Sequence, residues 1–230
     1  MKFAPLMLLL ALPLCADPAR SIQFNVYAQS AANQLVYQPV EPPPQGRMPL
    51  TELKAIQSHP LARTGPYPFK GGDRIDFYNA TTHSMEAQVR IPPHSNHWLL
   101  VFTKNPYYQK KSGALKYRIL PVDERSLNRP ANQVVFLNLS NLDLTGLLNQ
   151  QQLQLPAGQS SPYPVNGQTS IQLWIGPRKQ RSPCAWLKNC NFQSGQRPLI
   201  LLFAPILSGS GDLDVRQLSD EEPATESSLN

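Results

Sequence analysis

Apolar side chains recur at every second position along several short segments, which is the pattern of half-buried β-strands. In SIQFNVYA the residues Ile22, Phe24 and Val26 share one face, and DRIDFYN repeats the pattern with Ile75 and Phe77. MEAQVRI, LKYRIL and LDVRQL alternate in the same way. The runs WLLVFT, QVVFLNLS, SIQLWI and PLILLF are apolar almost throughout, which is typical of strands covered on both sides. The pattern predicts an all-β fold.

Turn residues separate these segments, as in KGGD, KKSGA and SGSGD. The chain has 24 prolines against 12 glycines, and proline disfavours long helices because it lacks a backbone donor. One segment, LTELKAIQS at 50–58, has apolar residues at helical spacing and predicts a short helix.

A second pattern recurs at a longer interval. GPYPFKGGDRIDFY at 65–78 matches SPYPVNGQTSIQLW at 161–174, LLVF at 99–102 matches ILLF at 200–203, and LKYRIL at 115–120 matches LDVRQL at 213–218. A collinear series of this kind predicts a tandem duplication. We predict two related β-sandwich modules of immunoglobulin-like type, at 20–124 and 131–221, joined by a linker at 125–130. Proline cannot donate to a β-ladder, so each Pro-Tyr-Pro should lie at a sheet edge or outside the sheet.

The stretches VVFLNLSN, LPAG and ILPVDE resemble uncharacterised secreted bacterial proteins built from tandem all-β modules. The resemblance extends over most of the chain. It implies a role in the cell envelope or outside the cell, and it implies no known activity.

The two ends of the chain predict processing and disorder. Residues 1–16 combine Lys2 with an apolar run and predict a signal peptide, with lipid attachment at Cys15 as the alternative. The mature chain has no second apolar run long enough to span a membrane, so we predict a secreted or periplasmic protein without a transmembrane segment. The acidic end, 222–230, predicts a disordered tail.

The net positive charge of the chain indicates which class of partner it would attract. The chain has a formal net charge of +6, although acidic residues concentrate near its end. A basic body attracts anionic partners such as envelope lipids, polysaccharides or acidic proteins, and the same charge also serves solubility. Secretion removes nucleic acid as the usual partner of a basic protein.

Residues 176–197, GPRKQRSPCAWLKNCNFQSGQR, form what we call the basic segment, because it has five basic residues and no acidic one. Cys184 and Cys190 are an even pair in the predicted mature chain, and they predict a disulfide that folds the intervening residues into a loop. Arginine and rigid aromatic side chains dominate binding hot spots. The segment therefore predicts a binding site formed by Arg178, Lys179, Arg181, Trp186, Lys188 and Phe192. The alternative is a long hairpin whose aromatic residues cover one end of a sandwich.

Catalytic motifs are absent from the sequence, which has no G-x-S-x-G, phosphate-binding loop, H-E-x-x-H or zinc-type cysteine spacing. His83, His94 and His97 would bind a metal only if a turn brought them together, so we predict no metal and no cofactor. Ser95 has no orienting carboxylate nearby in the sequence. We predict a non-enzymatic structural or binding protein that recognises an anionic envelope component or another protein. The alternative is an extracellular hydrolase acting on glycan or peptide.

Overall fold

The structure is a computed structural model, and the residues that it describes are entirely non-helical. The predicted signal peptide, Cys15 and the predicted tail at 222–230 lie outside these residues. The all-β prediction is confirmed. The described residues are 19–30, 32, 34–41, 53–60, 62–109, 113–127, 129–176, 184–207 and 210–218.

These residues form seventeen strands. They are β1 (Arg20–Ala28), β2 (Leu35–Tyr37), β3 (Lys54–Ala55), β4 (Thr64–Gly71), β5 (Arg74–Asn79), β6 (Met85–Arg90), β7 (His97–Lys104), β8 (Tyr117–Asp123), β9 (Gln133–Asn138), β10 (Leu144–Leu148), β11 (Gln151–Leu155), β12 (Gly158–Gln159), β13 (Tyr163–Pro164), β14 (Gly167–Ile175), β15 (Trp186–Phe192), β16 (Leu199–Phe203) and β17 (Asp214–Leu218).

The first eight strands form a sandwich of two sheets. The first inner sheet has the order β4-β1-β7-β8, with β1 and β7 parallel, and the first outer sheet has the order β3-β2-β5-β6. The alternating residues of β1 and β5 meet between the sheets, where the Phe24 and Phe77 rings pack edge to face at 6.1 Å. Trp98 from β7 closes the same core and is 2% exposed. We call this unit the first sandwich.

The remaining strands form a second sandwich with the same strand orders. The second inner sheet has the order β12-β9-β16-β17, with β9 and β16 parallel and with β13 also paired to β9. The second outer sheet has the order β11-β10-β14-β15. Phe136, Leu173 and Ile200 lie in the core between these two sheets and are each 0% exposed.

A third core joins the two inner sheets face to face, so that the molecule has four layers. Tyr27 of β1 stacks on Phe203 of β16 with ring centroids 6.4 Å apart, and the side-chain amide of Gln29 donates to Asp214 across the junction at 2.8 Å. The buried members of this core are Tyr27, Leu99, Val101, Val122, Leu127, Val135, Leu137, Leu199, Leu201, Phe203 and Leu218.

The four layers explain the continuous apolar runs in the sequence. Strands β7, β9 and β16 lie in inner sheets, with a sandwich core on one face and the third core on the other. Strands covered on both faces need apolar side chains at consecutive positions. The prediction of two-sided burial is confirmed for these three strands, whereas β14 lies in an outer sheet and alternates buried and half-exposed residues.

The predicted helix at 50–58 is wrong in its described part. Lys54–Ala55 is strand β3, paired with β2, and the backbone of Ile56 donates to Leu35 at 2.9 Å. Ile56 is 5% exposed in the first core. Tertiary packing of this one side chain outweighs the helical spacing of its neighbours.

Both Pro-Tyr-Pro segments lie at the edge of an inner sheet, as predicted. Tyr67 pairs with Phe24 in the ladder between β4 and β1, and Tyr163 pairs with Val134 in the ladder between β13 and β9. In each sandwich the chain then crosses to the outer sheet as β5 or β14.

The structure shifts the predicted match of LLVF with ILLF by one residue. Leu99 faces the third core, whereas Ile200 faces the second sandwich core. Leu100, which faces the first sandwich core, is therefore the counterpart of Ile200. A shift of one residue reverses the face of every side chain in a strand. Sequence comparison does not reveal such a shift here, because every position in both runs is apolar.

Candidate binding site

The basic segment is not a disulfide-closed loop, and the predicted disulfide is wrong. Cys184 and Cys190 are both free thiols, the first exposed and the second buried. Residues 186–192 form strand β15, which pairs with β14 over seven consecutive positions. A straight strand separates residues six positions apart by about 20 Å, and a disulfide needs Cα atoms within about 7 Å.

The predicted binding residues of the basic segment do not come together on one described surface. Phe192 is 3% exposed in the second sandwich core, and Trp186 is half-buried against the same core. Their aromatic surface therefore serves packing. Lys188 is exposed on the edge strand β15, whereas Arg178, Lys179 and Arg181 lie outside the described residues.

Lys188 has a structural role in this position. It alternates with Cys190 and Phe192, so it lies on the core-facing side of β15 although it reaches solvent. A charged side chain on the inner side of an edge strand blocks pairing with strands of other molecules.

Histidine and serine of the turn before β7 lie beside Asp123 at the end of β8, but not in catalytic order. His94 Nε2 lies 3.7 Å from an Asp123 carboxylate oxygen. Burial by itself would raise the pKa of Asp123, but hydrogen bonds from Ser95 and from the backbone after Asp123 hold it below its usual value. The Ser95 hydroxyl donates to the backbone carbonyl of His97 at 3.4 Å and not to His94, so His94 is not positioned to take its proton.

The histidines do not form a metal site among the described residues. His83 lies in the turn between β5 and β6, whereas His94 packs edge-on against Trp98 at 5.2 Å between ring centroids. The part of the chain that the structure describes contains no cluster of three or more histidine, cysteine or acidic side chains that could hold a metal ion.

Five carboxylates beside the strands have hydrogen-bond or ionic partners. Glu124 is paired with Arg63 and also accepts a hydrogen bond from Asn25 at 2.7 Å. The other pairs are Asp76 with Arg74, Glu86 with Lys116, Asp214 with Arg216 and Asp123 with His94. A glycosidase needs two carboxylates that converge on a substrate cleft, and these five lie in separate pairs.

A groove of about 580 Å³ lies where the two sandwiches meet, and we call it the junction groove. Its volume lies within the range of about 300–1,000 Å³ usual for ligand sites. Leu120 of β8 is a large apolar side chain of its lining that is 45% exposed. The lining consists of parts of β7, β8 and β9 with residues near β12, from Val101 and Thr103 through 118–122 and 137–139 to Asn141, Ala157 and Gly158.

The groove is the uncovered continuation of the third core. Leu120 pairs with Val101 in the ladder between β7 and β8, and Val122 follows it on the same face. Val101 and Val122 are buried against the second sandwich, whereas Leu120 is not covered. An exposed apolar surface that is continuous with a core between two structural units is typical of a binding groove.

Polar groups define one end of this groove. The Arg118 guanidinium lies over the Tyr107 ring at 5.5 Å, on the hairpin between β7 and β8. The Asn138 amide is used internally, since it donates to the carbonyls of Leu142 and Leu155. Pro121 removes a backbone donor from the edge strand β8, so strand addition is disfavoured there and recognition would depend on side chains.

Sequence reasoning did not find the groove. Its residues come from both sandwiches, and only their relative placement brings them together. The one available signal was Leu120, an apolar residue on the polar side of the amphipathic segment LKYRIL.

Comparison with known proteins gives no relative, since neither a protein-family model nor a curated protein matches the chain. Within the described residues, no helix has the length and apolar character needed to cross a membrane.

Proposed function

We propose that this chain is a secreted or envelope-associated, non-enzymatic binding protein, and that the junction groove is its ligand site. The observation that carries the proposal is the third core. It holds the two sandwiches together as one body and leaves an apolar groove at its open edge. Binding sites form preferentially at such junctions between structural units.

We also propose that the two sandwiches are immunoglobulin-like modules produced by tandem duplication. The identical strand orders support this, as does the crossover from inner to outer sheet after each Pro-Tyr-Pro. Secretion remains a proposal as well, based on the apolar run in residues 1–16.

The proposed ligand is an extended segment of a partner protein with an apolar side chain for Leu120 and an acidic group for the basic end of the groove. Arg118 is exposed at that end, and its side chain lies on the same face of β8 as Leu120. The proposed partner is therefore anionic, as the sequence predicted, but its contact lies in the junction groove and not on the basic segment.

The test compares two substitutions at matched exposure. Leu120→Asp changes a groove side chain that is 45% exposed, and Met85→Asp changes one on β6 that is 44% exposed. We expect the Leu120→Asp protein to lose retention on immobilised envelope proteins while the Met85→Asp protein keeps it, because only the first places a charge in the groove. Equal retention of the two variants would contradict the proposal, as would release of products from glycan or peptide substrates by the unaltered protein.

A further inference from the structure

The outward side of the second outer sheet carries six side-chain amides, which we call the amide face. Alternate residues of its strands, such as Leu153, Ile171 and Leu173, are buried in the second sandwich core. The residues between them lie on the outward side, where five of the six amides are exposed and Gln172 is half-buried, while Trp174 on the same side is 6% exposed. The amide face consists of Gln152, Gln154, Gln168, Gln172, Asn189 and Asn191.

The amide face contains no charged side chain. In all four strands of this sheet, β10, β11, β14 and β15, Lys188 is the single charged residue, and it lies on the opposite side. The corresponding face of the first outer sheet has four charged residues, namely Arg74, Asp76, Glu86 and Arg90. Two sheets with the same strand order thus have different surface chemistry.

The amides of this face are available to a ligand. Among the described residues, none of the six forms a side-chain hydrogen bond. On the first outer sheet the side chains satisfy one another, since Arg74 pairs with Asp76 at 3.0 Å and Gln88 donates to Asp76 at 2.9 Å. A solvent face that needed only solubility would be served by such charged pairs.

This chemistry suits a neutral polysaccharide. Each amide has donors and an acceptor, and each sugar hydroxyl also donates and accepts, so rows of amides match rows of hydroxyls without a charge. Leu187 pairs with Gln172 at the edge of the face and is 61% exposed, which provides an apolar contact for a sugar ring. Among the described residues of these strands, no cation lies on this face to meet a polyanion. We propose that the amide face is a binding site for a neutral polysaccharide, separate from the junction groove.

The dimensions of the face argue against a second copy of this chain as the occupant. The four strands have five, five, nine and seven residues. At a spacing of about 4.8 Å and a rise of about 3.3 Å per residue, they cover about 400 Å². A specific protein interface buries about 800 Å² on each partner and has an apolar centre. The amide face is too small and too polar for that, but it can hold a few sugar units.

The experiment measures depletion of the protein from solution by three insoluble neutral polysaccharides: cellulose, cross-linked dextran and chitin. The test variant replaces Gln154, Gln168 and Gln172 by glutamate. The control variant makes the same replacement at Gln23, Gln57 and Gln193, which are exposed amides outside the face. The two variants have equal net charge, and each change is isosteric at an exposed or half-buried position.

We expect the unaltered protein and the control variant to bind at least one neutral polysaccharide, and the test variant to bind it about tenfold more weakly, as expected for the loss of a few hydrogen bonds. On carboxymethyl cellulose, the two variants should lose the same amount of salt-sensitive binding. The inference is overturned if none of the three neutral polysaccharides retains the unaltered protein, or if both variants lose neutral binding equally. It is also overturned if the test substitutions abolish self-association, because the face would then be a dimer interface. The junction groove is tested separately by Leu120→Asp, so either proposal can fail alone.

Discussion

The third core makes a quantitative prediction through two neighbouring leucines of β16. Leu201 faces the third core and Leu202 faces the second sandwich core, and each is 0% exposed. Replacing either leucine by alanine removes three carbon groups, which costs roughly 2.4 kcal/mol in transfer free energy alone. The cavity left behind raises the usual total to about 2–5 kcal/mol.

We therefore expect Leu201→Ala and Leu202→Ala to lower the free energy of unfolding by similar amounts within that range. The assay is urea unfolding followed by circular dichroism, with the slope of the transition compared among the three proteins. If the two sandwiches did not pack together, Leu201 would lie on an exposed sheet face, where substitutions change stability by only about 0.5 kcal/mol. A small effect of Leu201→Ala beside a large effect of Leu202→Ala would refute the four-layer arrangement.

Three further outcomes follow from the free thiols, the buried tyrosines and the ends of the chain. Cys184 should react with a thiol reagent in the folded protein, and Cys190 only after unfolding, since Cys190 is buried and burial raises the pKa of its thiol. If denatured, unreduced protein had no free thiols, the two cysteines would form a disulfide after all. Burial raises the pKa of Tyr27 to about 12, from about 10 when unfolded. Its contribution to stability is therefore full below about pH 10 and is lost as the pH rises toward 12. The urea midpoint of the unaltered protein should therefore fall as the pH rises through this window. The fall should be less steep for Tyr27→Phe and the same for Tyr107→Phe, whose side chain is 74% exposed. Equal pH dependence in all three proteins would contradict this role of Tyr27. Removing 219–230 should strengthen adsorption to an anionic lipid surface at low salt by a few-fold, because exposed ion pairs contribute about 0.2–1 kcal/mol each; charge reversal in the basic segment should remove that gain, and equal adsorption with and without the tail would show that the two regions do not interact.

Most of the secondary structure follows from local sequence. Period-two alternation located β1, β5 and β6, and continuous apolar runs identified β7, β9 and β16 as covered on both faces. These signals are local because the pattern of apolar residues along a strand depends on which of its two faces are buried. The two Pro-Tyr-Pro segments were also predicted to lie at a sheet edge or outside the sheet, and both lie at an edge.

The errors have physical reasons that the sequence does not reveal. Two cysteines in an exported chain favour a disulfide, but a seven-pair ladder holds Cys190 in a strand and in the core. The alternation of Trp186, Lys188, Cys190 and Phe192 was visible and would have predicted that strand. The junction groove depends on how two sandwiches pack, which no single segment encodes.

The amide face could have been found from the sequence. Alternating glutamines in QQLQL and in GQTSIQLW place polar, uncharged residues on one side of two strands. What the sequence lacks is the pairing of these strands, and therefore the alignment of their amides in one sheet.

The most direct test of this account is equilibrium unfolding observed separately in each sandwich. Trp98 lies in the first core, and Trp174 and Trp186 lie on strands of the second sandwich, so variants that keep tryptophan in only one sandwich report on it by fluorescence. If the third core joins the sandwiches into one body with a groove at its edge, both reporters should show one transition at the same urea midpoint, and Leu201→Ala should lower both midpoints together. Two separate midpoints, or a Leu201→Ala effect on one reporter alone, would contradict it.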